Sequence, residues 1–213
     1  MIWLRIAFLL LIAKPLARLF TGVDVIDKAR LPQRGPAIIA ANHSSHVDTL
    51  LLLTMFPAAS MHCVRPVAAA DYFLKGPVIG WFSRRLIGIV PIERDRAGQP
   101  GEDVLAPARA ALRDGAIVIV FPEGTRRQEE GMGRLKHGVA RLAQAFPEAP
   151  VIPVWVQGAS RVLPKGESVP VPLNCTVHVG LPIVWSGHRT VFMEALREAL
   201  ESLAAQAPPL RWS

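Results

Sequence analysis

Residues 37–53 read AIIAANHSSHVDTLLLL, and this stretch indicates the architecture most directly. Its first five residues are small or branched and apolar, a composition typical of a strand that is buried on both faces. A polar turn follows, and the apolar run over residues 47–56 then predicts a helix. A buried strand that leads through a polar turn into a helix is the beginning of a βα unit, and such units build parallel sheets.

The same alternation continues along the chain. Further apolar runs rich in β-branched residues are typical of strands, and they occupy residues 87–92, 116–121, 151–156 and, more weakly, 175–179. Helical patterns lie between and after them, over residues 104–113, 135–146 and 191–204. With 213 residues, no repeats and no long linker, the chain is predicted to be a single α/β domain with a largely parallel central sheet flanked by helices.

Polar residues follow three of the predicted strands directly. They occupy residues 42–48, Glu93 and Arg94, and residues 122–126. In open α/β sheets, ligands bind in the crevice beyond the carboxyl ends of the strands. We therefore expect these three polar clusters to meet in space and to form the functional site.

His43 and Asp48 are the main candidates for chemistry within that site. In an ideal helix, residues five apart lie about 140° apart around the axis, so the two side chains would face different directions. They can touch only if His43 lies in the turn before the helix and Asp48 in its first turn, with Ser44 or Ser45 as the helix cap. The spacing Ser45-x-x-Asp48 also has the form of a capping box, which would give Asp48 a structural role. The two roles are compatible.

The chain is basic, with a formal net charge of +7, which indicates an anionic partner. Nucleic acid, anionic lipid headgroups and an anionic substrate all qualify. Aromatic residues make up only 7% and include a single tyrosine, so stacking side chains do not alternate with basic runs, and a nucleic-acid partner is not expected. The only cysteines, Cys63 and Cys175, are too few for a disulfide framework and indicate a reducing compartment.

Residues 1–34 combine a short apolar run with basic flanks. The run over residues 6–13 is shorter than the about 20 residues that a spanning helix needs, and a longer run would include Lys14 and Arg18. A signal peptide fits less well, because no small-x-small cleavage site follows. We expect an interfacial helix whose basic side chains, including Arg5, extend towards lipid phosphates. The alternative is a buried core helix.

Four short blocks of the sequence together resemble a known family. The blocks are NHSSHVD at residues 42–48, GIVPIER at 88–94, FPEGTR at 121–126 and VIPV at 151–154. In order and spacing they resemble the four blocks of the 1-acylglycerol-3-phosphate acyltransferase family. The resemblance implies that His43 is the general base and Asp48 its partner. It also implies that Arg94, Glu123 and Gly124 belong to the acceptor site, and that an N-terminal helical motif docks on the membrane.

Three further side chains are candidates for binding an anionic substrate. Thr125 offers a hydroxyl and Arg126 a forked phosphate donor, while Lys136 adds positive charge nearby. Ordinary alternatives remain for these positions: a surface ion pair for Arg94 or Glu123, and a solvated helical side chain for Lys136.

The resemblance also implies the substrates. It implies an acyl-CoA or acyl-carrier-protein donor and a lysophospholipid acceptor, most specifically 1-acylglycerol-3-phosphate, which would give phosphatidic acid. Residues 35–213 would form the acyltransferase domain, held at a membrane that contains anionic lipids, with its active site on the cytoplasmic side. Neither a metal nor a cofactor is expected, because His43 can activate the hydroxyl directly and the departing thiolate is a good leaving group.

Three other readings of the same residues are open. A hydrolase is less favoured because no G-x-S-x-G motif occurs, and Cys63 beside His62 is typical of ordinary packing. A metal site would draw on His43, His46, Asp48 and His62, but no third ligand is compellingly placed. A non-catalytic lipid-binding adaptor would use the same basic surface and would show no thioester-dependent acyl transfer.

Overall fold

The computed structural model describes residues 2–70, 76–93, 103–126, 132–164, 166–167 and 169–207. Within these residues a seven-stranded sheet forms the centre of the molecule. The strands are β1 (Asp24–Ile26), β2 (Ala37–Ala41), β3 (Val64–Ala69), β4 (Val90–Ile92), β5 (Ile117–Val120), β6 (Val151–Gln157) and β7 (Thr176–Val179).

Helices cover both faces of the sheet. The N-terminal helix α1 spans residues 2–21 and consists of Ile2–Phe8, a π-helical segment Leu9–Ala13, and Lys14–Thr21. Helix α4 (Pro77–Phe82) likewise continues as a π-helical segment, Ser83–Ile87. The other helices are α2 (His46–Thr54), α3 (Ala58–Met61), α5 (Ala106–Arg113), α6 (Gly138–Ala145), α7 (Ala159–Val162) and α8 (Arg189–Gln206), with a 3₁₀ turn at Lys28–Arg30.

The strand order is β1-β7-β6-β2-β5-β3-β4. Neighbouring strands pair parallel except β6 and β7, so β1 and β7 run opposite to the other five. The five strands β2 to β6 therefore end at one edge of the sheet and bring the residues that follow them together. The predicted single α/β domain with a largely parallel sheet is confirmed.

Alternate residues of the central strand β2 contribute to two separate cores, because successive side chains of a strand point to opposite faces. Ala37, Ile39 and Ala41 belong to the core that is covered by α1 and α2. Ile38 and Ala40 belong to the core that is covered by α5, α6 and α8. All five residues of β2 are buried, which explains why the strand contains only alanine and isoleucine.

The strand predicted over residues 37–41 has the same bounds in the structure. Those over 151–156 and 175–179 differ by one residue at one end, and that over 116–121 is one residue shorter at both ends. The run over residues 87–92 is a strand only from Val90. Ile87 still belongs to the π-helical segment, and Gly88, with a φ of +78°, ends that segment in the left-handed region that favours glycine. Strands β1 and β3 are additional to the predicted set.

Arg5 is buried in the protein, so the expectation that it extends towards lipid phosphates is wrong. Its five N–H donors are all used in hydrogen bonds of 2.6–3.2 Å to backbone carbonyls, which connect α1 to the start of β3 and the end of α4. Burial, together with the charge of Arg65, lowers the pKa of Arg5 to about 10, so the guanidinium remains charged at neutral pH. The accepting carbonyls belong to Met61, His62, Val64, Leu86 and Ile87.

Helix α1 has two different faces. Leu9, Ala13 and Ala17 are buried in the core beside α2, as the alternative of a core helix required. Trp3 and Leu19, on the other hand, are 81% and 71% exposed. The helix therefore contributes to the fold and also presents an apolar surface outward.

Replacement of Arg5 by methionine should lower the free energy of unfolding by about 3 kcal/mol, because several buried carbonyls lose a charged donor. Lysine, with three donors in a different geometry, should recover only part of that loss. Urea denaturation followed by tryptophan fluorescence measures the effect. The control is Arg113→Met at the exposed end of α5, which should change stability by less than about 0.5 kcal/mol. An Arg5→Met protein as stable as the unmodified chain would show that these hydrogen bonds do not hold α1 in place.

Candidate active site

The loop between β2 and α2, residues 42–45, is fixed at its beginning by Asn42. The side-chain amide of Asn42 is buried and bonds both polar backbone groups of Val156 on the neighbouring strand β6. Its Nδ2 donates to the Val156 carbonyl at 2.9 Å, and its Oδ1 accepts from the Val156 N–H at 2.7 Å. The sequence analysis assigned no role to Asn42. A polar residue directly after a fully buried strand was the available signal, because a buried amide needs hydrogen-bond partners.

His43 and Asp48 are in direct contact, with Nδ1 of His43 2.9 Å from Oδ2 of Asp48. The same carboxylate oxygen accepts the backbone N–H groups of Ser44 at 2.6 Å and Ser45 at 2.7 Å. The Ser45 hydroxyl in turn accepts the N–H of Val47 at 3.3 Å, so Ser45 and Asp48 also form a capping box at the start of α2. Asp48 therefore both contacts His43 and caps the helix, as its spacing allowed.

This arrangement orients the imidazole. An ionised carboxylate only accepts hydrogen bonds, so His43 donates from Nδ1 and keeps a lone pair on Nε2. Asp48 is completely buried, whereas the His43 side chain retains 15% of its exposure. One face of the His43 ring stacks on Phe121, which follows β5, with ring centroids 4.0 Å apart. Phe121 thus belongs to the site, although the sequence analysis quoted it without giving it a role.

Glu123 connects His43 to a more distant part of the chain. Its Oε1 accepts the backbone N–H of His43 at 3.2 Å, and its Oε2 accepts the backbone N–H of Gly133 at 3.1 Å. The side chain is almost fully buried. The structure therefore gives Glu123 a positioning contact with the His43 loop, beside the acceptor-site role that the family resemblance implies.

Gly124 and Lys136 lie against each other. Gly124 has a φ of +76°, and a Cβ atom at this position would lie 2.8 Å from both Cε and Nζ of Lys136. The backbone N–H of Lys136 donates to the carbonyl of Pro122 at 2.8 Å, which holds the lysine in this position. The left-handed backbone at position 124 favours glycine, because L side chains rarely adopt this φ.

An open pocket of about 460 Å³ lies beside these residues. Glu123, Thr125 and Lys136 line it, together with Arg134 and His137. The structure thus brings together six of the predicted site residues: His43, Asp48, Glu123, Gly124, Thr125 and Lys136. Arg94 lies outside the described residues.

A second, more apolar cavity of about 440 Å³ adjoins the first. It extends between the ends of the strands, the residues just before α5, and helix α6, and its walls include Val67, Ile92, Leu105 and Val120. Phe121, which stacks on His43, is also part of its wall. One residue that packs on the imidazole therefore also lines the apolar cavity.

His46, the first residue of α2, is held neutral near pH 7. Burial lowers its pKa to about 4, and the charges of Arg126 and His43 contribute in the same direction, whereas Asp48 opposes them. Arg126 is therefore close enough to act electrostatically on this loop. Among the residues that the structure describes, no three His, Cys, Asp or Glu side chains are grouped as metal ligands.

The chain belongs to the acyltransferase family, since the family model described as Acyltransferase matches residues 22–157. This range contains the five parallel strands β2 to β6 and the His43–Asp48 pair.

Relatives with a named activity are 1-acyl-sn-glycerol-3-phosphate acyltransferases. A chloroplastic one from Arabidopsis thaliana is 30% identical over 187 residues, which cover 86% of this chain and 50% of that protein. One from Bacillus subtilis (strain 168) is 32% identical over 139 residues, 65% of this chain and 64% of that protein. The chain spans about half of the length of the plant relatives. The crystal structure of the 1-acyl-sn-glycerophosphate acyltransferase PlsC from Thermotoga maritima matches with a TM-score of 0.73 and 26% identity, over 98% of this chain and 81% of that one.

The depressed pKa of His46 predicts a pH dependence of stability. The folded-state pKa of about 4 lies below the ordinary value of 6.5, so the unfolded chain binds this proton first as the pH falls. The stabilising contribution of neutral His46 is present above pH 6.5 and is lost as the pH approaches 4. In His46→Gln, the free energy of unfolding should therefore fall less between pH 7 and pH 4.5 than in the unmodified chain. Exposed His62 provides the control, because His62→Gln should keep the original pH dependence. Equal slopes for the unmodified chain and His46→Gln would contradict this account.

Proposed function

We propose that this chain transfers a fatty acyl group from a thioester donor to the free hydroxyl of a lysophospholipid, most specifically 1-acylglycerol-3-phosphate, giving phosphatidic acid. The observation that carries the proposal is the His43–Asp48 pair, whose geometry leaves Nε2 as the free ring nitrogen. Glu123 and Phe121, which both contact His43, line the two pockets. The named activity of the relatives supports the same reaction.

The reaction follows from the properties of the imidazole. A lipid hydroxyl is a weak nucleophile, so Nε2 of His43 accepts its proton while the oxygen attacks the thioester carbonyl carbon. Asp48 holds the tautomer and stabilises the imidazolium that forms, as the acid does in a hydrolase triad. When the tetrahedral intermediate collapses, the carbon–sulfur bond breaks and the thiolate takes the proton from His43. The products are the new ester and a free thiol, and the base is regenerated.

The two pockets suit two parts of the substrates, the phosphate of the acceptor and the acyl chain of the donor. The open pocket carries Thr125 and Lys136, which can hold the phosphate of the acceptor by a hydroxyl and a positive charge. Arg126 and Arg94 are proposed to add guanidinium groups to the same subsite. The adjoining apolar cavity is proposed to receive the acyl chain, because apolar walls favour the transfer of methylene groups out of water.

A membrane surface is the proposed location, because the lipid substrate resides there. Helix α1 exposes Trp3 and Leu19, and helix α4 exposes Val78 and Trp81. Phe8 and Phe82 connect the two helices by an edge-to-face contact with ring centroids 5.3 Å apart. The exposed side chains Arg18, Arg84 and Arg85 adjoin this apolar surface and can contact anionic headgroups.

The protein is proposed to lie on the cytoplasmic side of the membrane, with α1 and α4 in the interface. In the described part of the chain, none of the helices combines the length and the hydropathy needed to cross a membrane. Exposed large apolar side chains are normally scattered singly over a protein surface, whereas here they are grouped on two neighbouring helices.

His43→Ala should reduce the turnover number for acyl transfer by about 10²–10⁴-fold, because the general base is lost. Asp48→Asn should reduce it nearly as much, because the amide cannot stabilise the imidazolium. Steady-state assays with palmitoyl-CoA and 1-acylglycerol-3-phosphate measure turnover, and circular dichroism confirms that the variants are folded. A folded His43→Ala protein with near-normal turnover would refute the mechanism. An unmodified chain that binds vesicles but transfers no acyl group from any thioester would be an adaptor instead.

Trp3→Glu combined with Trp81→Glu should weaken binding to vesicles of phosphatidylcholine and phosphatidylglycerol by about tenfold or more, since two large apolar side chains are lost from the interface. Co-sedimentation measures binding. Point substitutions are preferable to removal of α1, because Arg5 and Leu9 of that helix also hold the fold. Leu181→Glu is the matched control, since Leu181 is 68% exposed but belongs to neither helix. Equal losses in the control and the double variant would mean that α1 and α4 do not form the docking surface.

A further inference from the structure

Residues 169–173, which read VPVPL, form an apolar segment at the surface that belongs to neither α1 nor α4. Val169 and Val171 are 76% and 51% exposed, and the prolines that follow each of them are wholly or partly exposed as well. Leu173, in contrast, packs against the core. Exposed apolar side chains are normally scattered singly, so four in succession indicate that the segment meets an apolar partner.

The segment is attached to the end of helix α1. The backbone N–H of Leu173 donates to the carbonyl of Phe20 at 3.0 Å, and that of Cys175 donates to the carbonyl of Thr21 at 2.8 Å. The same last turn of α1 contains Leu19, which is 71% exposed and belongs to the proposed docking surface. The segment therefore lies directly beside one end of that surface.

The segment also lies at the edge of the sheet where the loop between β2 and α2 begins. The N–H of Val171 donates to the carbonyl of Val162 at 2.8 Å, and Val162 ends α7, which follows β6. The next carbonyl, that of Leu163, accepts the hydroxyl of Ser45 at 2.8 Å. Since β2 and β6 are parallel neighbours, the loops that follow them share one edge of the sheet, and the segment packs against that edge.

The backbone of the segment is suited to an environment without water. Pro170 and Pro172 have no N–H group, and the N–H groups of Val171 and Leu173 are bonded inside the protein. Unpaired backbone donors are what make an irregular segment costly in a bilayer, and four of these five residues present none. A protein partner that pairs as an added strand would instead need free N–H groups. The segment therefore favours a lipid partner.

We propose that residues 169–173 insert into the lipid surface as a third membrane contact, in addition to α1 and α4. The inference rests on the proposed location of the protein at a membrane. The partner is the boundary between headgroups and acyl chains, where valine and proline side chains leave water and no charged side chain has to be desolvated. Insertion at this point turns the edge of the sheet that carries His43 towards the lipid surface.

The first test measures co-sedimentation with vesicles of phosphatidylcholine and phosphatidylglycerol. Val169→Glu combined with Val171→Glu should weaken binding about tenfold, because two apolar side chains leave the lipid and two negative charges replace them. The matched control is Leu181→Glu combined with Val184→Glu, which changes the charge equally at side chains that are 68% and 60% exposed. These residues follow the opposite end of β7, so the control should bind almost as well as the unmodified chain.

The second test reports on the segment itself and needs no turnover. The two native cysteines are replaced by alanine, and Val169→Cys is labelled with nitrobenzoxadiazole. The fluorescence of the label should rise several-fold when the same vesicles are added, because the dye leaves water. A label on Leu181→Cys should change little.

These results separate the inference from the proposed reaction and from docking through α1 and α4. Weaker binding of the double valine variant, with a label that responds at residue 169, supports the inference even if no acyl transfer is found. If replacement of Trp3 and Trp81 weakens binding and replacement of the two valines does not, the surface on α1 and α4 stands and this inference is overturned. It is also overturned if the label at residue 169 does not respond in the bound chain, or if the unmodified chain binds no vesicles.

Discussion

Asp48 is a carboxylate without access to solvent, and the loop that carries the chemistry is folded around it. A buried charge is tolerated only when hydrogen bonds replace its hydration. Two backbone N–H groups and the Nδ1–H of His43 provide this replacement at a single oxygen. Asp48 therefore couples three features: the start of α2, the conformation of residues 43–45 and the orientation of the imidazole. None of them can change alone.

The surroundings of this charge determine what the imidazole can do. Phe121 covers one face of the ring, and Glu123 fixes the backbone of the same residue. His46, the first residue of α2, is kept neutral by burial, with a pKa of about 4, so it adds no second proton donor near pH 7. Nε2 is the ring nitrogen of His43 that Asp48 does not contact. A base with a fixed tautomer is what hydroxyl activation requires.

Much of the sheet and the His43–Asp48 contact could be predicted from the sequence, and both the correct and the wrong predictions have physical causes. Strand β2 was predicted with the correct bounds because a strand buried on both faces must be apolar throughout. Strand β3 was not, because Arg65 and Pro66 interrupt its apolar pattern. The short spacing of His43 and Asp48 allowed their contact but could not separate that contact from helix capping, and the structure shows both. Arg5 was wrongly assigned to the lipid surface, because its hydrogen-bond partners are backbone carbonyls that only the tertiary fold brings together.

The segment before α6 shows why local patterns leave part of the site undetermined. The pattern predicted a helix from residue 135, but α6 begins at Gly138. Lys136 lies before the helix, and its N–H donates to the carbonyl of Pro122 in the turn after β5. This hydrogen bond holds the backbone of Lys136 against that turn; the side chain of Lys136 lies next to Gly124, and the residue lines the open pocket. The position of this positive charge in the open pocket thus involves a contact with a turn elsewhere in the sequence, which a local pattern cannot show.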